Sequence, residues 1–138
     1  MLSVNAAPPP SANDRTHRIA ELDEQLVSLH AGINAATARF LKLLEEFDRL
    51  GGWEGPGLTG CAHWLNWRCG IGLNAAREKV RVARALPELP EVRKHFESGE
   101  LSFSKVRALT RIATPDNEAV LLNVARHGTA HHVETLVR

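Results

Sequence analysis

Ten apolar residues, Ile19, Leu22, Leu26, Leu29, Ile33, Ala36, Phe40, Leu43, Phe47 and Leu50, recur at alternating steps of three and four without a break. At 3.6 residues per turn this spacing gathers them on one stripe, the a and d positions of a heptad, whereas a strand would scatter them over both faces. The spacing predicts one long helix. Asn13 or Asp14 can cap its start by accepting free backbone N–H bonds, and Gly51 and Gly52 can take up the left-handed conformation that ends it. At 1.5 Å per residue it is on the order of 50 Å long, which is long for a chain of 138 residues.

Such a stripe must be covered, either by later helices of the same chain or by the same helix of a second chain. The flanking positions hold Arg18, Asp23, Gln25, His30, Gly32, Thr37, Arg39, Leu44 and Glu46, too mixed a set to encode a charge-paired zipper. The expectation is that the later helices cover it, with a homodimer through the long helix as the rival.

After residue 50 the segment Gly-Gly-Trp-Glu-Gly-Pro-Gly is a turn, in which Trp53 gains most by plugging the end of the core. Thr59 can cap a helix over 59–69, Asn74 one over 75–86, Pro90 suits the first turn of another to residue 96, and Ser102 opens the next. Thr114 and Pro115 read as cap and first helical position of a helix closed by Gly128, and Thr129 begins a last one that is still running at Arg138. No segment alternates with period two. The fold class expected is all-α: one long N-terminal helix with six shorter helices packed on it, two of them a helix-turn-helix-like pair around Gly70. Residues 1–13 read as a disordered leader and 14–138 as a single helical domain.

The function classes are bounded mainly by exclusion. No stretch approaches the roughly 20 apolar residues of a membrane span, and residues 1–18, with Pro8, Pro9 and Pro10, carry no secretory signal, so the expected location is cytoplasmic. Cys61 and Cys69, eight residues apart on one helix, lie about 12 Å apart along its axis, too far to bridge or to share a metal, and read as buried free thiols. His127, His131 and His132 lack a partner at ligand spacing, and no nucleophile with a base, carboxylate pair or phosphate loop stands out. No catalysis, cofactor, metal or small-molecule ligand is expected.

Charge points elsewhere. Residues 1–58 hold eight acids and five bases, residues 59–138 eight acids and twelve bases. Arg77, Arg81 and Arg84, at i, i+4 and i+7, form one ridge on the second helix of the Gly70 pair, and Lys105, Arg107 and Arg111 add charge on a later helix. Arginine forks bind phosphate oxygens bidentately, so duplex DNA is the partner this surface suggests. The opposing reading is a solvated face paired with Glu78, Glu88 or Glu91.

Several long runs are together similar to one known family: Ala35-Ala36-Thr37-Ala38-Arg39 through Glu46-Phe47-Asp48-Arg49, Gly51-Gly52-Trp53, Ala62-His63-Trp64-Leu65-Asn66-Trp67-Arg68-Cys69-Gly70, Ala75-Ala76-Arg77-Glu78 with Val80-Arg81-Val82-Ala83-Arg84-Ala85-Leu86, and Gly99-Glu100-Leu101-Ser102-Phe103-Ser104-Lys105-Val106-Arg107-Ala108-Leu109-Thr110-Arg111. They resemble domain of unknown function 222, the 13E12 repeat family. The resemblance implies a bacterial protein in which this helical region precedes an HNH nuclease domain. That domain is absent from these 138 residues, which read as truncated, so no catalytic residue carries over. The function expected is nucleic-acid binding or target positioning for such a nuclease, the alternatives being dimerisation, interdomain contact or an inactive remnant.

Overall fold

The computed structural model describes residues 8–9, 11–128 and 130–137. Most of the expected leader, residues 1–7 and Pro10, lies outside them, as do Thr129 and Arg138. Seven α-helices follow in order: α1 (Ala12–Arg49), α2 (Cys61–Cys69), α3 (Leu73–Ala85), α4 (Pro90–Glu97), α5 (Phe103–Leu109), α6 (Glu118–His127) and α7 (Ala130–Val137), with a 3-10 turn (Leu86–Glu88) between α3 and α4. No strand occurs among the described residues. The all-α expectation stands, with a long first helix.

Local chemistry moves several boundaries. The Ser11 hydroxyl accepts from the Asp14 N–H at 3.1 Å, so the start of α1 is capped at Ser11 and not at Asn13 or Asp14. Neither Thr59 nor Asn74 caps: Gly60 and Gly72 stand at those positions without a side-chain bond. Ser102 does cap α5, accepting from Lys105 N–H at 3.2 Å. Thr114 and Pro115 open a turn rather than a helix, because Asn117 accepts from Thr114 N–H at 2.6 Å and donates to the Ile112 carbonyl at 3.1 Å. The helix starts three residues after Pro115, at Glu118.

The chain divides into two units, Met1–His30 and Ala31–Arg138. Within the first, α1 carries no core: every described side chain is exposed except the half-buried Glu21, which pairs with His17 at 3.0 Å and Arg18 at 3.1 Å.

The second unit holds the core. Its largest fully buried side chains include Phe96, Leu41, Leu65, Leu89, Leu101 and Leu109. The segment of α1 in this unit buries Asn34, Ala38, Leu41 and Leu44. That overturns the expected covering of the stripe, since these are b, f and e positions. At 100° per residue they centre about 140° round the helix from the a and d seam. α2 packs on α3, α4 on α6 and α5 on α7.

Two buried polar contacts tie this unit together. The C-terminus of α4 turns through Gly99 at φ +85°, and the Gly99 carbonyl accepts from the buried Asn34 Nδ2 at 3.1 Å. At the other end of α4, Pro90 removes one N–H and Leu89 offers no side-chain oxygen. The buried Glu118 carboxylate supplies the missing acceptor, taking the Val92 N–H at 2.7 Å.

Candidate functional site

Most of the six basic residues that the spacing singles out have acid partners while staying partly exposed. Arg84 lies against Asp48, Nε to Oδ2 at 2.7 Å and Nη2 to Oδ1 at 3.1 Å, a bidentate fork across two helices. The Asp48 side chain is only 10% exposed and also accepts from Trp53 Nε1 at 3.1 Å, so the tryptophan plugs the end of the core through this carboxylate. Arg81 spends its fork internally, on Glu78 Oε2 at 2.8 and 3.2 Å, the Arg107 carbonyl at 3.0 Å and the Thr110 hydroxyl at 3.3 Å. Arg111 lies 3.5 Å from the other Glu78 oxygen, and Arg107 lies 3.5 Å from Glu134.

Only Arg77, which touches Asn74 Oδ1 at 3.4 Å, and Lys105 have no carboxylate partner among the described residues. Four of the six lie within 4 Å of an acid, with three acids shared among four arginines, and their side chains stay 34–62% exposed. Of the acids expected to pair, Glu78 does so; the others are Asp48 and Glu134.

The charges follow that geometry. The hydrogen bond from Arg84 holds the Asp48 carboxyl below its usual range, against the opposing effect of its burial, and Arg84 is raised in return. Arg81 likewise lowers Glu78. Burial, helped by nearby Asp48, raises the Cys61 thiol to about 11, which makes it inert. Cys69, expected to be buried, is exposed.

Because the folded-state Asp48 pKa lies below its ordinary 3.8, its contribution is complete at neutral pH and lost as the pH falls through the lower, folded value. The melting temperature is expected to fall on acidification below about pH 4. The Asp48→Asn chain should start lower at pH 7 and lose less below that point. Thermal melts from pH 7 to 2.5 check this, and equal acid limbs in both chains would refute it.

The Gly70 pair is a real helical hairpin. Gly70 sits at φ 68° and closes α2, the Asn66 side chain bonds the Ile71 carbonyl at 2.9 Å, and Val80, not Lys79, turns inward. Lys79 lays its ammonium 3.9 Å from the Phe103 ring centroid, and burial lowers its pKa. This hairpin presents Trp67 outward beside Arg68, at 5.4 Å. Such a shape occurs in proteins with and without DNA partners.

A long exposed stripe on α1 is apolar, and spacing alone reads it as core. In the first unit Ile19, Leu26 and Leu29 are 55, 66 and 68% exposed and Leu22 39%. In the second, Ile33, Leu43 and Leu50 are 60, 65 and 71% exposed and Phe40 36%. Phe47 is half-buried against Trp64, ring centroids 4.3 Å apart, beside an apolar recess that Phe40, Leu43 and Leu44 complete. Composition separates the faces only in part: the buried stripe mixes Asn34 and Ala38 with Leu41 and Leu44, whereas the open one is almost wholly large and apolar.

No helix is long and apolar enough to cross a membrane, and no cluster of three or more His, Cys, Asp or Glu is placed to hold a metal, among the described residues. What the fold defines is an all-α protein organised on one long helix. Residues 20–138 match the family model described as Domain of unknown function (DUF222), and the chain belongs to that family. Nothing matches among the curated proteins or the solved structures.

Proposed function

We propose that this chain is a self-association module, whose α1 seam takes the same seam of a second copy. The observation that carries it is the set of eight large apolar side chains left open at heptad spacing while the same helix buries a different face. At 25 cal/mol per Å², complete burial of a leucine-sized side chain corresponds to about 100 Å². With about 60% of each open, a paired seam covers roughly 1,000 Å², the threshold of a specific interface, where monomers rarely expose apolar patches beyond a few hundred Å². The first unit strengthens the case, since a helix without tertiary cover is marginal in water and gains most of its stability by packing.

The nucleic-acid reading is the weaker one. Of the six basic residues expected on a nucleic-acid surface, only Arg77 and Lys105 have no acid partner among the described residues, and two phosphate contacts from them correspond to a log–log salt slope of about −2. In the setting that the family resemblance implies, pairing of this module brings two nuclease domains to one duplex without requiring the arginines to touch it.

Sedimentation equilibrium from sub-micromolar to hundred-micromolar protein tests the reading. The mass is expected to climb from 15.2 kDa towards twice that value. A mass fixed at 15.2 kDa throughout defeats it.

A further inference from the structure

We infer that the two copies pair parallel and in register, so that each seam residue faces its own counterpart across a two-fold axis; this rests on the self-association reading above. The seam residues themselves favour that orientation. With Ile19 at a, the a positions are Ile19, Leu26, Ile33, Phe40 and Phe47, and every d position except Ala36 is leucine. Isoleucine at two of the five a positions with leucine at four of the five d positions leans towards the β-branched-a, leucine-d pattern that suits a two-stranded parallel pair.

The largest side chain is accommodated by the smallest. In a helix, side chains lean back towards the turn before them, so Phe40 leans towards Ala36. A parallel pair sets two phenylalanines beside two alanines, and the room left by the methyl groups takes the rings. Phe47 needs little of the seam, because its own chain's Trp64 already covers one side.

Charge agrees. In a parallel pair each g position faces the e position five residues on in the partner, which sets Arg18 against Asp23 of the second copy, twice by symmetry. Arg18 is 59% exposed and gives one Nη to Glu21, leaving donors of its guanidinium for a second carboxylate. The other parallel pairs, Gln25 with His30 and Gly32 with Thr37, contain no like charges, and Leu44, the position opposite Arg39, is buried in its own core. In the full-length antiparallel arrangement that keeps a opposite d, Gln25 faces Glu46 and no opposite charges meet; shifted by one heptad it sets Arg18 against Glu46, but the seam then ends at Leu43 and leaves Phe47 and Leu50 outside.

A single cysteine decides the orientation. In Leu22→Cys with the exposed Cys69→Ser, parallel pairing places the two new thiols in one layer, within reach of a disulfide. Full-length antiparallel pairing puts residue 22 opposite residue 47, about 37 Å along the axis from its counterpart, and the register shifted by one heptad puts it opposite residue 40, so neither joins two residues 22. Oxidation in a glutathione buffer above the dimer concentration is expected to cross-link this variant nearly completely, and to leave an equimolar mixture of Leu22→Cys and Phe47→Cys, each also Cys69→Ser, with no mixed disulfide. A mixed disulfide with no homotypic one overturns the parallel assignment. So does an absence of any cross-link while the reduced variant sediments as a dimer. A reduced variant that sediments as a monomer at every concentration, as the unsubstituted chain then also must, removes the self-association reading itself.

Discussion

Gly99→Ala is expected to destabilise the Ala31–Arg138 unit by about 3–5 kcal/mol. Three costs coincide. Gly99 sits at φ +85°, where an L side chain costs about 1–2 kcal/mol. A methyl there falls inside the van der Waals surface of the Ala31 carbonyl oxygen and 3.1 Å from its carbon, and that carbonyl belongs to a helix that cannot yield. Retreat of the turn then takes the Gly99 carbonyl from the buried Asn34 amide, and an unsatisfied buried donor costs about 1–3 kcal/mol. A melting temperature lower by about 15 °C is the expected reading. Gly32→Ala is the control: nothing lies within 4 Å of the added methyl, and the helix should gain about 0.5–1 kcal/mol. Equal effects of the two substitutions would mean that the α4 turn does not press on α1.

The second large effect concerns association. Leu26→Glu together with Leu29→Glu puts four carboxylates into the paired seam and removes four leucines from it. At about 1.5 kcal/mol or more for each lost burial, the dissociation constant rises at least about 1,000-fold. Folding of the second unit should be untouched, because both positions lie outside its core. Val27→Glu offers the comparison, being 65% exposed on the same turn but off the seam, and should leave the association as it was.

Much of the architecture was legible from spacing. Ten apolar residues in strict alternation require a helix of the length observed, and Gly51 and Gly70, at φ 70° and 68°, stop helices where glycine was expected to. Which face of α1 is covered was not legible, because the buried face is made of Asn34, Ala38, Leu41 and Leu44, a stripe that a hydrophobicity pattern ranks below the isoleucine and leucine seam. What selects it is distant: the Gly99 turn, which only a small-residue surface lets approach so closely. The arginines misled for a related reason. Glu78 is visible three residues from Arg81, but Asp48 lies 36 residues before Arg84 and is brought to it only by the tertiary fold. Two of the three arginines expected on a nucleic-acid surface, Arg81 and Arg84, also tie helices together, while their side chains stay 34 and 62% exposed.

In the self-association reading, residues 12–30 are held helical by a second copy of themselves. Amide hydrogen exchange over that segment, followed across protein concentration in the unsubstituted chain and in the Leu26→Glu, Leu29→Glu variant, tests it directly. Protection is predicted to rise with concentration in the first and stay low in the second, while the amides of α5 exchange alike in both. Protection of residues 12–30 that is the same in both chains and at every concentration would contradict it.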